Sequence, residues 1–284
     1  IVKCIYEHDR LHLAVETLKI DGASEATMRK VGPQDARRQR ELEELEKQIN
    51  DTERYKFVEY QLVEDALQAA LLARGLEAPR IEIDGRFQRA ERIAQKKGTQ
   101  QQQLRVAYNR AWTSYWWYED IDEFNKLYDR VEELAIGSIQ ASEIELLSNL
   151  WHILRTAVHQ EALGDKQAKL ADRTKTVKAE LARLSTNSQR PNNAAQAETN
   201  TLLIELAEAF ASDQDIDSIL LRMKEMFKSS GGLVDYPVTS IFRIIQELGT
   251  VLTDNLQYDE LLEVVIEISE QRTSEGKAGN LLLT

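Results

Sequence analysis

The chain has one cysteine, Cys4, in 284 residues, which excludes an internal disulfide framework and suits a reducing compartment. Prolines number 4 and glycines 12. Those are few, while Ala, Leu, Glu, Gln, Lys and Arg are many, so the class is all-helical. No apolar run approaches the roughly 20 residues of a membrane span. No GxxxxGK[ST] phosphate loop occurs, because Gly276-Lys277 lacks both the upstream glycine and a following Ser or Thr. GxSxG is missing as well, and no Cys–His pair lies outside the first helical stretch. The expectation is a chain that is not an enzyme and holds no cofactor. A formal net charge of −12 argues against a general binder of phosphate backbones, although a local basic face would survive that objection.

What is present is amphipathic helix. Ile5, Leu11, Ala14, Val15 and Leu18 give the first stretch an apolar face, which Asp21-Gly22 ends. On that stretch Cys4, His8 and His12 recur at i, i+4 and i+8, the right ligand types on one face for zinc. No fourth ligand is visible and no HExxH glutamate follows His8, so no metal is assigned. Gln34 to Arg74 reads as two stacked helices, with Asn50-Asp51-Thr52 as the cap of the second and Gly75 and Pro79 as its stop. The five residues Ile81 to Gly85 alternate but are too few for a sheet. A helix from Arg86 to Lys97 follows, and Arg86, Arg89, Arg92, Lys96 and Lys97 load it with positive charge. Its ordinary reading is a solvated face, and its functional one is a site for an anionic partner.

Thr99 can cap the next helix, which holds Tyr108, Trp112, Tyr115, Trp116, Trp117 and Tyr118. Core packing explains such a cluster better than a base-stacking platform. Ala141 to Leu163 is a long helix in which His152 and His159 stand seven apart, too far for a shared ligand. Lys166 to Leu184 is a more polar helix, and STNSQRPNNAAQAET over 185–199 reads as a low-complexity loop.

Three segments share one register. Counting Phe242 as position 1, Leu248 and Gly249 fall on positions 7 and 8, Leu252 on 11, Tyr258 on 17, Leu261 on 20, Val265 on 24 and Ile268 on 27. Tyr108, Ala111, Trp112, Tyr115, Ile121, Phe124, Tyr128 and Val131 fall on 4, 7, 8, 11, 17, 20, 24 and 27 of a second copy. Leu203, Leu206, Ala207, Phe210, Ile216, Ile219, Met223 and Met226 do the same in a third. Asp120, Asp215 and Asp259 stand near the start of each second helix. The spacing resembles the tetratricopeptide repeat, a helix–turn–helix unit of about 34 residues. Trp112 and Phe124 depart from it, standing where the family wants small residues. From Leu203 to Ile245 the step is 42 residues, so the connection there is longer than standard.

The resemblance implies an irregular α-solenoid of stacked antiparallel helix pairs. Its repeat-packing residues would be Tyr108, Ala111, Tyr115, Phe124, Tyr128, Leu206, Ala207, Phe210, Leu248, Gly249, Leu252, Tyr258 and Leu261. Four stretches are expected: an N-terminal helical region over 1–79, irregular repeats over 80–185, a flexible loop over 186–199 and clearer repeats over 200–284. The opening IVKCIYEHDR without Met and the closing GNLLLT suggest a longer protein. Repeats of this kind occur in the sensor or scaffold arm of large bacterial signalling ATPases of the STAND class. The expected role is therefore binding a protein or peptide, or another domain of a longer chain, in the cytoplasm and without a membrane. The alternative is a nucleic-acid-binding array using the basic face from Arg86 to Lys97.

Overall fold

Helix starts are set by short polar side chains where the sequence supplies them. The Thr99 hydroxyl accepts from the Gln102 backbone N–H, and the Gln102 side chain accepts from the Thr99 N–H, a complete capping box. Asp120 accepts from Glu123 N–H at 3.0 Å, and Asn255 from Tyr258 N–H at 2.8 Å. Eleven helices result among the residues described by this computed structural model, which are 33–272 apart from 52, 57, 213, 231, 238–243, 247, 250 and 253. They are α1 (Pro33–Asn50), α2 (Glu59–Gly75), α3 (Arg80–Lys97), α4 (Gln100–Trp116), α5 (Ile121–Ala135) and α6 (Ala141–His159). After them come α7 (Asp165–Ala168), α8 (Leu170–Ser185), α9 (Pro191–Ser212), α10 (Asp217–Ser230) and α11 (Leu256–Arg272). Helix covers 79% of the described residues and no strand occurs among them. That is far above the usual ~30–35%, and the fold is all-α.

The described residues divide into two compact units, one of 33–136 with 157–168 and one of 137–156 with 169–272. In the first, α1 packs on α2, α2 on α3, α3 on α4 and α4 on α5, and α2 also touches α4. The expected boundary after residue 79 therefore falls inside this unit. Its α2 carries an alanine stripe, Ala66, Ala69, Ala70 and Ala73, all fully buried. Side chains that small let neighbouring helices approach closely at little entropic cost. The stripe shares one core cluster with Val63 and Leu67 of α2 and with Phe87, Ala90 and Ala94 of α3. In the second unit α8 packs on α9, α9 on α10 and α10 on α11. Its core joins Leu202, Leu206, Ala209, Met223, Phe227, Leu248, Tyr258, Leu261 and Val265.

The repeat step is longer than the tetratricopeptide one. Glu77, Glu119 and Glu161 all adopt the left-handed conformation just after a first helix, stepping from 77 to 119 to 161, 42 residues each time. Such a residue ends a helix by letting the backbone turn back to bond its last carbonyls. Ala78 N–H accordingly reaches Ala73 O and Ala162 N–H reaches Ala157 O. Side-chain bonds between neighbouring repeats carry the same period, with separations of 40 for Arg86–Glu46, 41 for Arg105–Glu64 and 42 for Gln102–Tyr60. From α6 to α9 the separation widens to 51–53, as in Gln196–Glu145 and Arg155–Glu208. Two features add the extra residues, the four-residue α7 and the 22-residue α9.

Several expectations are corrected. The low-complexity patch is not a loop, because α9 starts at Pro191 and only 186–190 form the turn. Proline suits the first helical position, since its fixed φ is already helical and its missing N–H had no partner there. Asn193 and Thr199 of that patch are buried, and Asn193 Oδ1 accepts from Ala141 N–H at 2.6 Å. Ile81 to Gly85 are the opening of α3. The Asn50-Asp51-Thr52 cap is not used, as α2 begins at Glu59 behind Val58 without a side-chain cap. Lys169, left-handed, breaks the 166–184 helix into α7 and α8. Gly249 lies in a turn after Leu248 rather than in mid-helix. Phe210 is 36% exposed and Ala207 only half-buried, because the inward stripe of α9 is Leu202, Leu206 and Ala209. Cys4, His8, His12, Phe242 and the terminal leucines lie outside the described residues.

Candidate interaction surfaces

The aromatic cluster is interior. Trp112, Trp116, Phe124 and Tyr128 are buried, and Tyr108 and Tyr115 half-buried. Their rings interlock, with centroids 5.6 Å apart for Tyr108–Trp112, 4.8 Å for Tyr115–Trp116 and 5.4 Å for Tyr115–Phe124. Ala111, Leu206, Leu248, Leu252, Tyr258 and Leu261 are buried as well.

Three of the five charges on the basic helix are paired with glutamates. Glu46 on α1 takes hydrogen bonds from both terminal nitrogens of Arg89, at 2.7 and 2.8 Å, and from Arg86 Nε at 3.0 Å. Lys97 pairs with Glu59 at 2.9 Å. Only Arg92 and Lys96 of the five remain exposed without an ion pair among the described residues. The sequence shows these charges on one helix, but it does not show the glutamate 40 and 43 residues upstream that meets Arg86 and Arg89.

Glu46 supplies a pH test. The Arg89 hydrogen bond, opposed by burial and aided by the Arg89 and Arg86 charges, holds its carboxyl below the ordinary 4.5. A depressed folded pKa stabilises above the unfolded value and loses that contribution as pH falls through the folded one. Glu46→Gln is therefore expected to cost about 0.5–1 kcal/mol at neutral pH, near the top of the range for partly exposed pairs. The gap to wild type should close below the ordinary carboxylate pKa. Urea unfolding at pH 7 and in acid measures it, and a pH-independent gap would refute the electrostatic account.

Two further features tie the first unit together. Arg74 stacks on Trp117 at 4.2 Å and Arg80 on Tyr118 at 4.5 Å. Arg80 also donates to Asp120 at 2.7 Å and to Asp84 at 3.4 Å. Arg80 and Tyr118 border an open polar cleft of about 440 Å³ that Glu119, Asp120, Ile121, Asp122 and Ala162 also line. Its one cation is already neutralised, so the cleft offers nothing to an anion.

A polar strip runs along the first helices α2 and α4. Tyr60, Glu64 and Gln68 run along α2, and Gln101, Arg105 and Asn109 along α4. Arg105 holds Glu64 at 2.9 Å, a separation of 41 residues, and Tyr60–Gln101 and Gln68–Asn109 stand at the same step. Gln102 binds the pair of helices from below, donating to Tyr60 O at 3.0 Å and Glu64 at 2.8 Å. Tyr60 is 53% exposed, and Gln68, Gln101 and Arg105 are exposed too. The result is a polar strip with one exposed aromatic ring.

Among the described residues no group of three His, Cys, Asp or Glu side chains could hold a metal ion. No described helix is long and apolar enough to cross a membrane. Neither the protein-family models nor the curated proteins compared with this chain match it. What stands is an all-α arrangement of packed helix pairs compatible with a helical repeat.

Proposed function

We propose that this chain is a protein-interaction scaffold, serving as the sensor or scaffold arm of a larger multidomain protein such as a bacterial STAND-type signalling ATPase. One observation carries the reading. The α2–α4 strip keeps amide, guanidinium and phenol groups exposed, with Arg105 held in place by Glu64 across the two helices. Amides and an aromatic ring match a polypeptide, which offers backbone donors and acceptors along its length. The likeness to tetratricopeptide repeats supports the same role by analogy of fold. The nucleic-acid alternative has lost part of its motive, since Arg86 and Arg89 are paired with Glu46 and Lys97 with Glu59.

A photo-crosslinking residue at Gln68 or Gln101 should trap a protein or an intrachain segment, and one at Arg92 or Lys96 should not. Adducts to nucleic acid at 92 and 96, with none to protein at 68 and 101, would reverse the assignment.

A further inference from the structure

We propose that the seam between α6 and α9 is a pH-sensitive joint worked by Glu145, closed while its carboxyl is neutral and eased open when it ionises. Three bonds cross the seam, Ala141–Asn193, Glu145–Gln196 and Arg155–Glu208, at separations of 52, 51 and 53 residues. The two helices therefore run side by side in the same direction, with polar groups along the contact. Glu145 is half-buried there, and its carboxyl accepts from Gln196 Nε2. Among the described residues it has no ion pair. The cations around it are committed elsewhere. Lys178 of α8 pairs with Glu208 at 2.9 Å, and Arg155 donates to the Glu208 carbonyl at 3.5 Å. Arg183 holds Ser138 O and Glu180, and Arg190 holds Ile139 O and Gln140. Ser148 Oγ, one turn along α6, and Asn193 Nδ2 are buried without a hydrogen-bond partner. The seam is thus incompletely bonded even before Glu145 ionises.

Ionising a carboxyl in such a place costs a hydration shell that one amide does not replace, whereas the neutral acid loses much less. Burial accordingly raises the Glu145 pKa above the ordinary 4.5, against the lowering effect of the Gln196 bond. The Tyr236 phenol lies near it and is pushed up by burial and by the Glu145 charge, against the Thr199 hydrogen bond. A carboxyl with a raised folded pKa favours the closed seam most below its ordinary value. That preference is lost as pH rises through the folded one. Opening then lets water reach the charge. His152, two turns further along α6, works in the opposite sense. Burial and then the Arg155 charge push its imidazole down to about 4, so its preference for the closed seam fades as pH falls through the ordinary 6.5.

The test compares the intact protein with Glu145→Gln, which keeps an acceptor for Gln196 but cannot ionise. Hydrogen exchange of the amides of 144–150 and 196–202, corrected for the intrinsic rate at each pH, reads the opening. At about pH 7.5 the wild type should open severalfold more often than the variant, and by about pH 4 the excess should vanish. The His152 contribution is common to both proteins and cancels in that excess. Carbon NMR of the wild-type carboxyl, assigned by its absence from the variant, gives a second reading that does not rest on the variant's stability. Glu145 should titrate above the ordinary 4.5. A titration at or below that value, a variant that opens as often as wild type at neutral pH, or an excess that persists in acid would each overturn the proposal.

Discussion

Replacing Gly249 with alanine should destabilise the second unit by about 1–3 kcal/mol, through overpacking and a disturbed buried hydrogen bond. A Cβ there would stand 2.6 Å from Tyr258 Oη and 3.2 Å from Gln246 O. Tyr258 cannot easily yield, because its ring is buried and its hydroxyl donates to Ile245 O at 3.0 Å. Conformational freedom is not the reason for this glycine, since Gly137 is the described glycine with a positive φ. Close approach is. The cause can be isolated with Tyr258→Phe, which removes the clashing oxygen and alone should cost about 1 kcal/mol, the net worth of one hydrogen bond. The double variant should then lose less than the sum of the singles, since the two residues touch. Strictly additive losses in urea unfolding, or an alanine variant as stable as wild type, would remove the clash from the account.

That pair also marks how far the sequence could be read. From Leu248 to Ile268 the spacing of apolar residues alone picks out the buried side chains, Leu248, Leu252, Tyr258, Leu261, Val265 and Ile268. Periodicity works there because each helix has one inward face. In α9 it slips. The inward stripe Leu202, Leu206 and Ala209 runs at i, i+4 and i+7, one residue before the expected Leu203 and Phe210 at either end. A helix of 22 residues with Leu and Ala on several faces offers two competing stripes, and only its neighbours choose between them. The 191–199 stretch failed for a related reason. Asn, Gln and Thr compose a loop by count, yet here they meet partners on α6, including Ala141 and Glu145. The same limit hid the candidate strip. Glu64 and Arg105 are ordinary helix-surface charges until the 41-residue step sets them side by side.

Phe124→Ala should be the more damaging change, about 3–5 kcal/mol. Position 20 of the tetratricopeptide unit takes a small residue because the paired helices meet there. In this protein the place holds Phe124, which is fully buried with its ring 5.4 Å from Tyr115. Tyr115 in turn meets Trp116 edge-on at 4.8 Å, and Trp116 lies 5.7 Å from Trp112. The bulky residues at positions 8 and 20 thus belong to one continuous core, and α4 and α5 stand where those rings keep them. Alanine would not restore the standard spacing. It would leave a cavity, because the surrounding rings can relax only in part. Phe124→Leu, which fills most of that volume, should cost markedly less. Tyr60→Ala on the exposed strip should stay within about 0.5 kcal/mol. Chemical unfolding of the three variants decides the matter. If Phe124→Ala matches Tyr60→Ala in stability, the helices close up over the smaller residue and the cluster does not set their spacing.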